Sequence, residues 1–474
     1  MKKTLFALII SFISVTALAQ GYQVSLQSNA KQGYAYLTYY AGNGLNVEDS
    51  TAISNTGLAI FKGNKVLPPG IYAVVFPGKR LSADFLIGKE KNQNINIKAD
   101  TNNLAAIQVS GSPEDVLFRQ YQQYVAKQGR LLNEERTAYM NAGNSADSAL
   151  HEKKYKEYNA ELNNYRMNII TQKPSSMMAI LLKAMRESPY SEKVPHTRQD
   201  SIDNYNFYKA HYWDGISFMD EAVVRTPFFK PKLETYYRQV MPQSADSIIK
   251  DIDYKLLLAR SAPEMYKYLL NWLTDEYISP KYMGQDAVFV HLFNKYHSKG
   301  LTNWLNEKQM EAITRRAYML MANLVGEKAA NLELIDTSGK MRSLYDVDAD
   351  YTIVSFWDPN CGHCKEEMPR IDSLYKSNWK DKNVKIFAVM TEYDTTAWKK
   401  YIVDHNIGYW THVYQTMEMM VAERQSLQPS YKQLYDITQT PTLYLLDKEK
   451  RIIAKKLTPL QINELLEAKW GKLQ

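Results

Sequence analysis

Residues 355–369 read Ser355-Phe356-Trp357-Asp358-Pro359-Asn360-Cys361-Gly362-His363-Cys364-Lys365-Glu366-Glu367-Met368-Pro369. The 474-residue chain has two cysteines, and both are here, spaced C-x-x-C. An apolar strand-like run at 351–356 precedes them. A helical pattern follows, from 361 to about 376. A C-x-x-C pair at a strand-to-helix junction points to thiol–disulfide chemistry. A bridge closing so small a loop restricts the unfolded chain very little, so stabilisation is a weak reason for the pair. A metal site on Cys361, His363 and Cys364 is the alternative. It lacks a second C-x-x-C or an H-E-x-x-H to complete the ligands, so no metal is expected.

Outward from the dithiol, the pattern alternates between strand and helix. Residues 331–335 read as a strand and 336–340 as a turn. Residues 384–390 read as a buried strand, 397–406 as a helix and 431–435 as a short helix. Two strands at 442–446 and 451–454 flank a polar turn, and Thr458-Pro459 opens a last helix. This order predicts a mixed sheet with helices on both faces over 326–474.

Residues 326–474 resemble the TlpA/ResA-like branch of the thioredoxin superfamily. The resemblance rests on Phe356-Trp357, on Cys361-Gly362-His363-Cys364, on Pro369 in the following helix and on Thr440-Pro441-Thr442 before the terminal hairpin. The long segment between the 397–406 helix and Pro441 also fits. The resemblance implies a thioredoxin-like α/β domain that exchanges disulfides with protein substrates through a CGHC dithiol, with no cofactor. Cys361 would be the nucleophile, because free amides and the dipole at a helix N-terminus favour thiolate. Cys364 would resolve the mixed disulfide. A cationic His363 would favour the Cys361 thiolate further; as an exposed spacer it would do little. Gly362-His363 is also the pair of protein disulfide isomerase sites, whereas TlpA-like proteins are often reductases, so the direction of electron flow stays open.

Six further positions follow from the resemblance. Glu367 is a candidate to take the Cys364 proton, or else a solvent-facing residue like Glu366. Ser355 stands where thioredoxins often have a buried aspartate, and Asn360 where many relatives have tryptophan, which leaves the proton relay open. Pro441 matches the cis-proline that faces the dithiol, and Thr440 would offer backbone groups to an extended substrate. Trp357 is expected to shape the entrance or to pack in the core. The P-x-x-x-T/S-x-x-C arrangement of peroxiredoxin-like sites is absent.

The rest of the chain is read as three segments. Residues 1–19 have the form of a secretory signal: Lys2-Lys3, a short apolar run, then Ala17-Leu18-Ala19. Cleavage before Gln20 would leave an exported, periplasmic protein without stable membrane insertion. Residues 20–112 look β-rich, with Pro68-Pro69-Gly70 opening an apolar strand and Ile95, Ile97 and Ala99 alternating with Asn96 and Lys98. A β-sandwich or barrel is expected. Residues 113–325 read as six to nine helices, with a capping box at Ser261-Ala262-Pro263-Glu264. His211-Tyr212-Trp213-Asp214 is read as helix packing rather than a site. These segments resemble the β and helical domains, of families without settled function, often attached to exported thioredoxin-like proteins.

The formal charge is +7, from 58 basic and 51 acidic residues; loss of Lys2 and Lys3 leaves +5. No basic block stands out, so nucleic acid is excluded as a partner. The expected partners are protein thiols or disulfides and a redox partner that the sequence does not name. The competing function is a cell-envelope binding or scaffold protein with a regulatory or vestigial redox centre.

Overall fold

The computed structural model describes residues 21–191, 193–426 and 428–471. The expected signal at 1–19 and its cleavage point before Gln20 lie outside them. The chain divides into two compact units: residues up to 241 with 255–268, and residues 242–254 with 269 onward.

The first unit begins with β1 (Tyr22–Ser28), β2 (Tyr34–Ala41), β3 (Gly44–Ala52), β4 (Leu58–Gly63), β5 (Gly70–Val75), β6 (Ser82–Ile87), β7 (Gln93–Asp100) and β8 (Asn103–Ser110). They form two four-stranded sheets, ordered β4-β1-β7-β8 and β3-β2-β5-β6. Along β7 every second residue is buried, from Gln93 to Ala99, the period of a sheet with one wet face. Val24, Leu26, Ile95 and Ile97 of one sheet share a core with Leu37, Tyr72, Val74 and Phe85 of the other. The region is a β-sandwich.

Nine α-helices follow among the described residues before the next strand: α1 (Pro113–Met140), α2 (Ser145–Gln172), α3 (Met177–Met185), α4 (Arg198–Ala210), α5 (Phe229–Thr235), α6 (Ala245–Ala259), α7 (Pro263–Tyr277), α8 (Asp286–Leu292) and α9 (Glu307–Met321). Ser112 caps α1: its hydroxyl accepts from the Asp115 amide at 3.2 Å and donates to the Leu86 carbonyl at 2.6 Å. Pro113 takes the first helical position, where its missing N–H is no loss. Tyr212 and Trp213 pack with Phe218 and Tyr236 at ring separations of 5.0–5.1 Å, so this stretch is packing, as the sequence implies.

The expected capping box at Ser261 does not form. The Ser261 hydroxyl bonds back to the Leu258 carbonyl at 3.3 Å. Glu264 instead accepts from Arg225 at 3.0 Å, and its amide donates to Glu221. A buried arginine with few other partners outcompetes a local cap for the carboxylate.

The second unit holds one seven-stranded sheet in the order β10-β9-β13-β12-β11-β14-β15. Its strands are β9 (Glu333–Asp336), β10 (Met341–Ser343), β11 (Tyr351–Trp357), β12 (Val384–Met390), β13 (Thr411–Tyr414), β14 (Thr442–Leu446) and β15 (Ile452–Lys455). β11, β12 and β13 run parallel, and β14 is antiparallel to β11. The helices are α10 (Gly362–Leu374), α11 (Thr395–Asp404), α12 (Met417–Gln425), α13 (Tyr431–Leu434) and α14 (Pro459–Gly471).

β11 is an inner strand, and this explains why all but its first residue are buried, Thr352 and Ser355 included. Ile353 and Trp357 enter the core of one face with Met368, Trp398 and Leu466. Val354 and Phe356 enter the core of the other face with Phe387, Tyr435 and Tyr444. A strand covered on both sides has no position for a charged residue. α8 and α9 belong to this unit as well. Lys455 of β15 is buried, ion-paired to Asp286 of α8 and bonded to the Asn323 carbonyl at 2.6 Å. Arg316 of α9 pairs with buried Asp436 at 2.6 Å.

Candidate active site

β11 ends at Trp357, and a tight turn carries the chain into α10. Asp358 shapes the turn: its carboxylate accepts from the Asn360 amide at 2.9 Å, and its carbonyl accepts from the Cys361 amide at 3.2 Å. Cys361 is the N-cap of α10, with extended backbone (φ −74°, ψ 127°). The Trp357 carbonyl is held from β12's end by the Thr391 amide at 2.9 Å and hydroxyl at 3.3 Å. The loop bearing the dithiol is thus anchored to the sheet at Trp357 and runs into α10 at Cys361.

Both cysteines are free thiols, and their surroundings differ. Cys361 is half-buried and Cys364 is 1% exposed. Burial raises the Cys361 pKa, but hydrogen bonds from the Thr440 side chain, the Cys364 backbone and thiol and the His363 backbone outweigh it, so the net shift is downward. The His363 and Cys364 amides among them are unpaired donors of a helix start, which favour an anion. Desolvation pushes the Cys364 thiol up to about 12, against a bond from the Asp358 amide at 3.5 Å. Across from the pair, the Thr440–Pro441 peptide is cis, and the Thr440 carbonyl accepts from the Cys361 thiol at 3.4 Å.

Parts of the chain are similar to known proteins. Residues 325–455 match the AhpC/TSA family. The region is a thioredoxin-like domain of that family. A thiol-disulfide oxidoreductase ResA from Bacillus cereus is 24% identical over 149 residues, 31% of this chain and 78% of that protein. By this homology the 325–455 region is similar to thiol–disulfide oxidoreductases. A domain of a possible thiol-disulfide isomerase from Cytophaga hutchinsonii is 37% identical, covering 32% of this chain and 95% of that one, with a TM-score of 0.28. A thioredoxin-like protein from Bacteroides caccae is 20% identical, covering 60% of this chain and 99% of that one, with a TM-score of 0.45. Residues 22–118 match a domain of unknown function, DUF4369.

The structure places each of the named residues within the thioredoxin-like domain. Cys361, Cys364, Thr440 and Pro441 lie together at the start of α10. His363 is exposed beside them and reaches Cys361 through its backbone. Glu367 is half-buried on α10, and its carboxylate is ion-paired with Arg370. Trp357 takes the second of its two expected places, the core. It is fully buried, with its ring 5.1 Å from that of Tyr401, so it lines no entrance. As the last residue of a strand covered on both faces, it turns into the core. Ser355, in the buried-aspartate position, is fully buried, and its hydroxyl faces the Met368 sulfur at 3.7 Å.

Sequence reasoning passed over three contributors. Asp358 had a readable signal, since Asp-Pro-Asn favours a side-chain-capped turn. Thr391 had none, because its role depends on pairing β11 with β12. Tyr401, 7% exposed, was hidden inside an ordinary helical stripe. Among the described residues no group of three or more His, Cys, Asp or Glu side chains is placed to hold a metal, and no helix is long and apolar enough to cross a membrane.

Proposed function

We propose that the chain is an exported thiol–disulfide oxidoreductase that exchanges disulfides with protein substrates through Cys361 and Cys364. The observation that carries this reading is the asymmetry of the pair: a half-exposed thiol with a lowered pKa beside a buried thiol with a raised one. Cys361 thiolate attacks one sulfur of a substrate disulfide. That S–S bond breaks, one substrate thiolate leaves, and a mixed disulfide forms. Cys364 loses its proton and attacks the Cys361 sulfur, releasing the second substrate thiolate. The substrate gains two electrons and the enzyme holds a disulfide. A dithiol donor reverses this, and the same steps run backwards oxidise a substrate.

Thr440 and Pro441 would face the substrate chain, with the Thr440 carbonyl already within reach of Cys361. His363 would interact with substrate from its exposed place on α10. Glu367 would accept the Cys364 proton once its pairing with Arg370 opens. The signal-like pattern at 1–19 supports a periplasmic site of action, where disulfides persist.

A Cys364→Ser variant tests the reading. It should accumulate mixed disulfides through Cys361, visible as adducts on non-reducing gels that dithiothreitol removes. No adduct, together with no turnover of any disulfide reporter by the unaltered protein, would sink the proposal. The reduction potential decides the direction: a value near about −180 mV favours oxidation or shuffling, and one near about −270 mV favours reduction.

A further inference from the structure

One buried carboxylate links the helical segment to the dithiol. Asp436 follows α13, is 2% exposed and has a positive φ of 48°, a conformation few side chains adopt. Its two oxygens are taken by two cations. Arg316 of α9 donates from Nη1 at 2.6 Å, and Lys456, just past β15, donates from Nζ at 2.5 Å. Arg316 is itself aimed by a second bond, from Nε to the Ile278 carbonyl just past α7 at 3.0 Å. Buried Asn323, beyond the end of α9, donates to the Leu434 carbonyl at 3.0 Å. α9 and the residues after it therefore hold the chain at 434 and again at 436.

Four residues after Asp436 comes Thr440, whose carbonyl accepts from the Cys361 thiol at 3.4 Å. Between them Ile437 is half-buried, and Thr438 and Gln439 are exposed. Asp436 is thus the last buried side chain before Thr440. On the far side the chain is fixed at buried Thr442, which pairs with Phe356 of β11. The place of Thr440 against the sulfur depends on these two anchors. One belongs to the sheet, and the other is a carboxylate held by α9. An ion pair suits this task better than it suits stability. Burying it gains little over packed apolar groups, whereas its bonds fix the direction of both partners.

We propose that Arg316 is a positioning residue for disulfide exchange: acting through Asp436, it fixes the segment 436–441 so that Thr440 stays against Cys361. The proposal deepens the reading above and rests on it for the reaction. It gives the helical segment a part in the redox site, which is complete only with α9 in place. A displacement of about 1 Å, caused far from the reacting atoms, can cost about a hundredfold in rate. Thr440 also supplies the first of the hydrogen bonds that hold the Cys361 thiol below its ordinary value. Its displacement should therefore show in the titration of Cys361 as well as in the rate.

The test uses the full-length protein and two readouts. One is kcat/KM on a peptide closed by one disulfide, with dithiothreitol as electron donor. The other is the pH midpoint of Cys361 alkylation by iodoacetamide. Arg316→Ala should lower kcat/KM by about tenfold or more and move the midpoint up towards 9.0. Arg316→Lys, which puts a cation back beside Asp436, should recover most of both. Arg342→Ala breaks an ion pair between half-exposed Arg342 and Asp336 in the same unit and should move neither. Where Arg316→Ala fails to fold by circular dichroism, Arg316→Gln takes its place, with the same two shifts expected at smaller size. A folded variant with an unchanged midpoint overturns the proposal. So does a shift that Arg342→Ala shares, which would mark a general loss of stability. An unaltered protein that reacts with no disulfide, including a small aromatic one, overturns the redox reading instead, and the alkylation midpoints still decide the role of Arg316.

Discussion

Cys361 and Cys364 are three residues apart on one helical turn, yet their thiols titrate in opposite directions. The reason is depth: donors at the helix start reach Cys361, while desolvation dominates at Cys364. Alkylation follows thiolate, so Cys361 should react with iodoacetamide with a midpoint below the ordinary 9.0, and Cys364 should stay unmodified at neutral pH. Mass spectrometry of samples labelled from pH 5 to 10 checks both. Equal labelling of the two would contradict the asymmetry.

Two buried histidines titrate in the second unit. Desolvation lowers His297 and His412 to about 4 from 6.5. A group whose folded pKa is depressed contributes stability above its unfolded pKa and loses it as pH falls through the folded one. The window is therefore pH 6.5 down to about 4, and each site contributes roughly 3 kcal/mol. Urea denaturation across that range should show the second unit weakening, and a His412→Gln variant should flatten the slope. Trp357 makes the plainest packing prediction: Trp357→Ala should lower unfolding free energy by about 3–5 kcal/mol, measured by the same titration.

At the level of elements, α8 is fastened to β15 by a buried ion pair. Removing one partner of such a pair leaves an uncompensated charge in the interior. Asp286→Ala should destabilise the protein by about 3–5 kcal/mol, while Asp286→Leu combined with Lys455→Met should recover most of it. Thermal melts of the three proteins decide the matter, and a double variant no better than the single would refute it. Element positions were legible where the chain carried a long apolar run, as in β11, β12 and β14. β13 and α12 were not read as elements. β13 is only four residues long, Thr411–Tyr414, too short for an alternating pattern, and α12 has no buried residue to mark a core-facing stripe. The Ser261 capping motif misled for a related reason: Glu264 serves Arg225, a partner 39 residues away in sequence.

For the whole molecule, the dithiol can be removed without dismantling the fold. The chain has no other cysteine, and both described units are held by apolar cores and paired polar groups. A Cys361→Ser/Cys364→Ser variant should lose disulfide exchange completely while its stability changes by only about 1–2 kcal/mol, as read by circular dichroism on heating. A scaffold role for the chain would instead leave its cellular phenotype intact in this variant.

The resemblance to thioredoxin-like proteins marked Thr440-Pro441 as the counterpart of the dithiol, and local order along the chain was enough to place a C-x-x-C pair between a strand and a helix and to separate β-rich, helical and α/β stretches. Those features are written in spacing, periodicity and turn chemistry, which act over a few residues. Tertiary structure decided the rest. It buried Trp357, gave Glu367 to Arg370, set the two thiols at different depths and brought Thr391 to the strand end that leads to Cys361. Each of these depends on which strands become neighbours and which faces are covered. Burial and long-range pairing, rather than local propensity, set those outcomes.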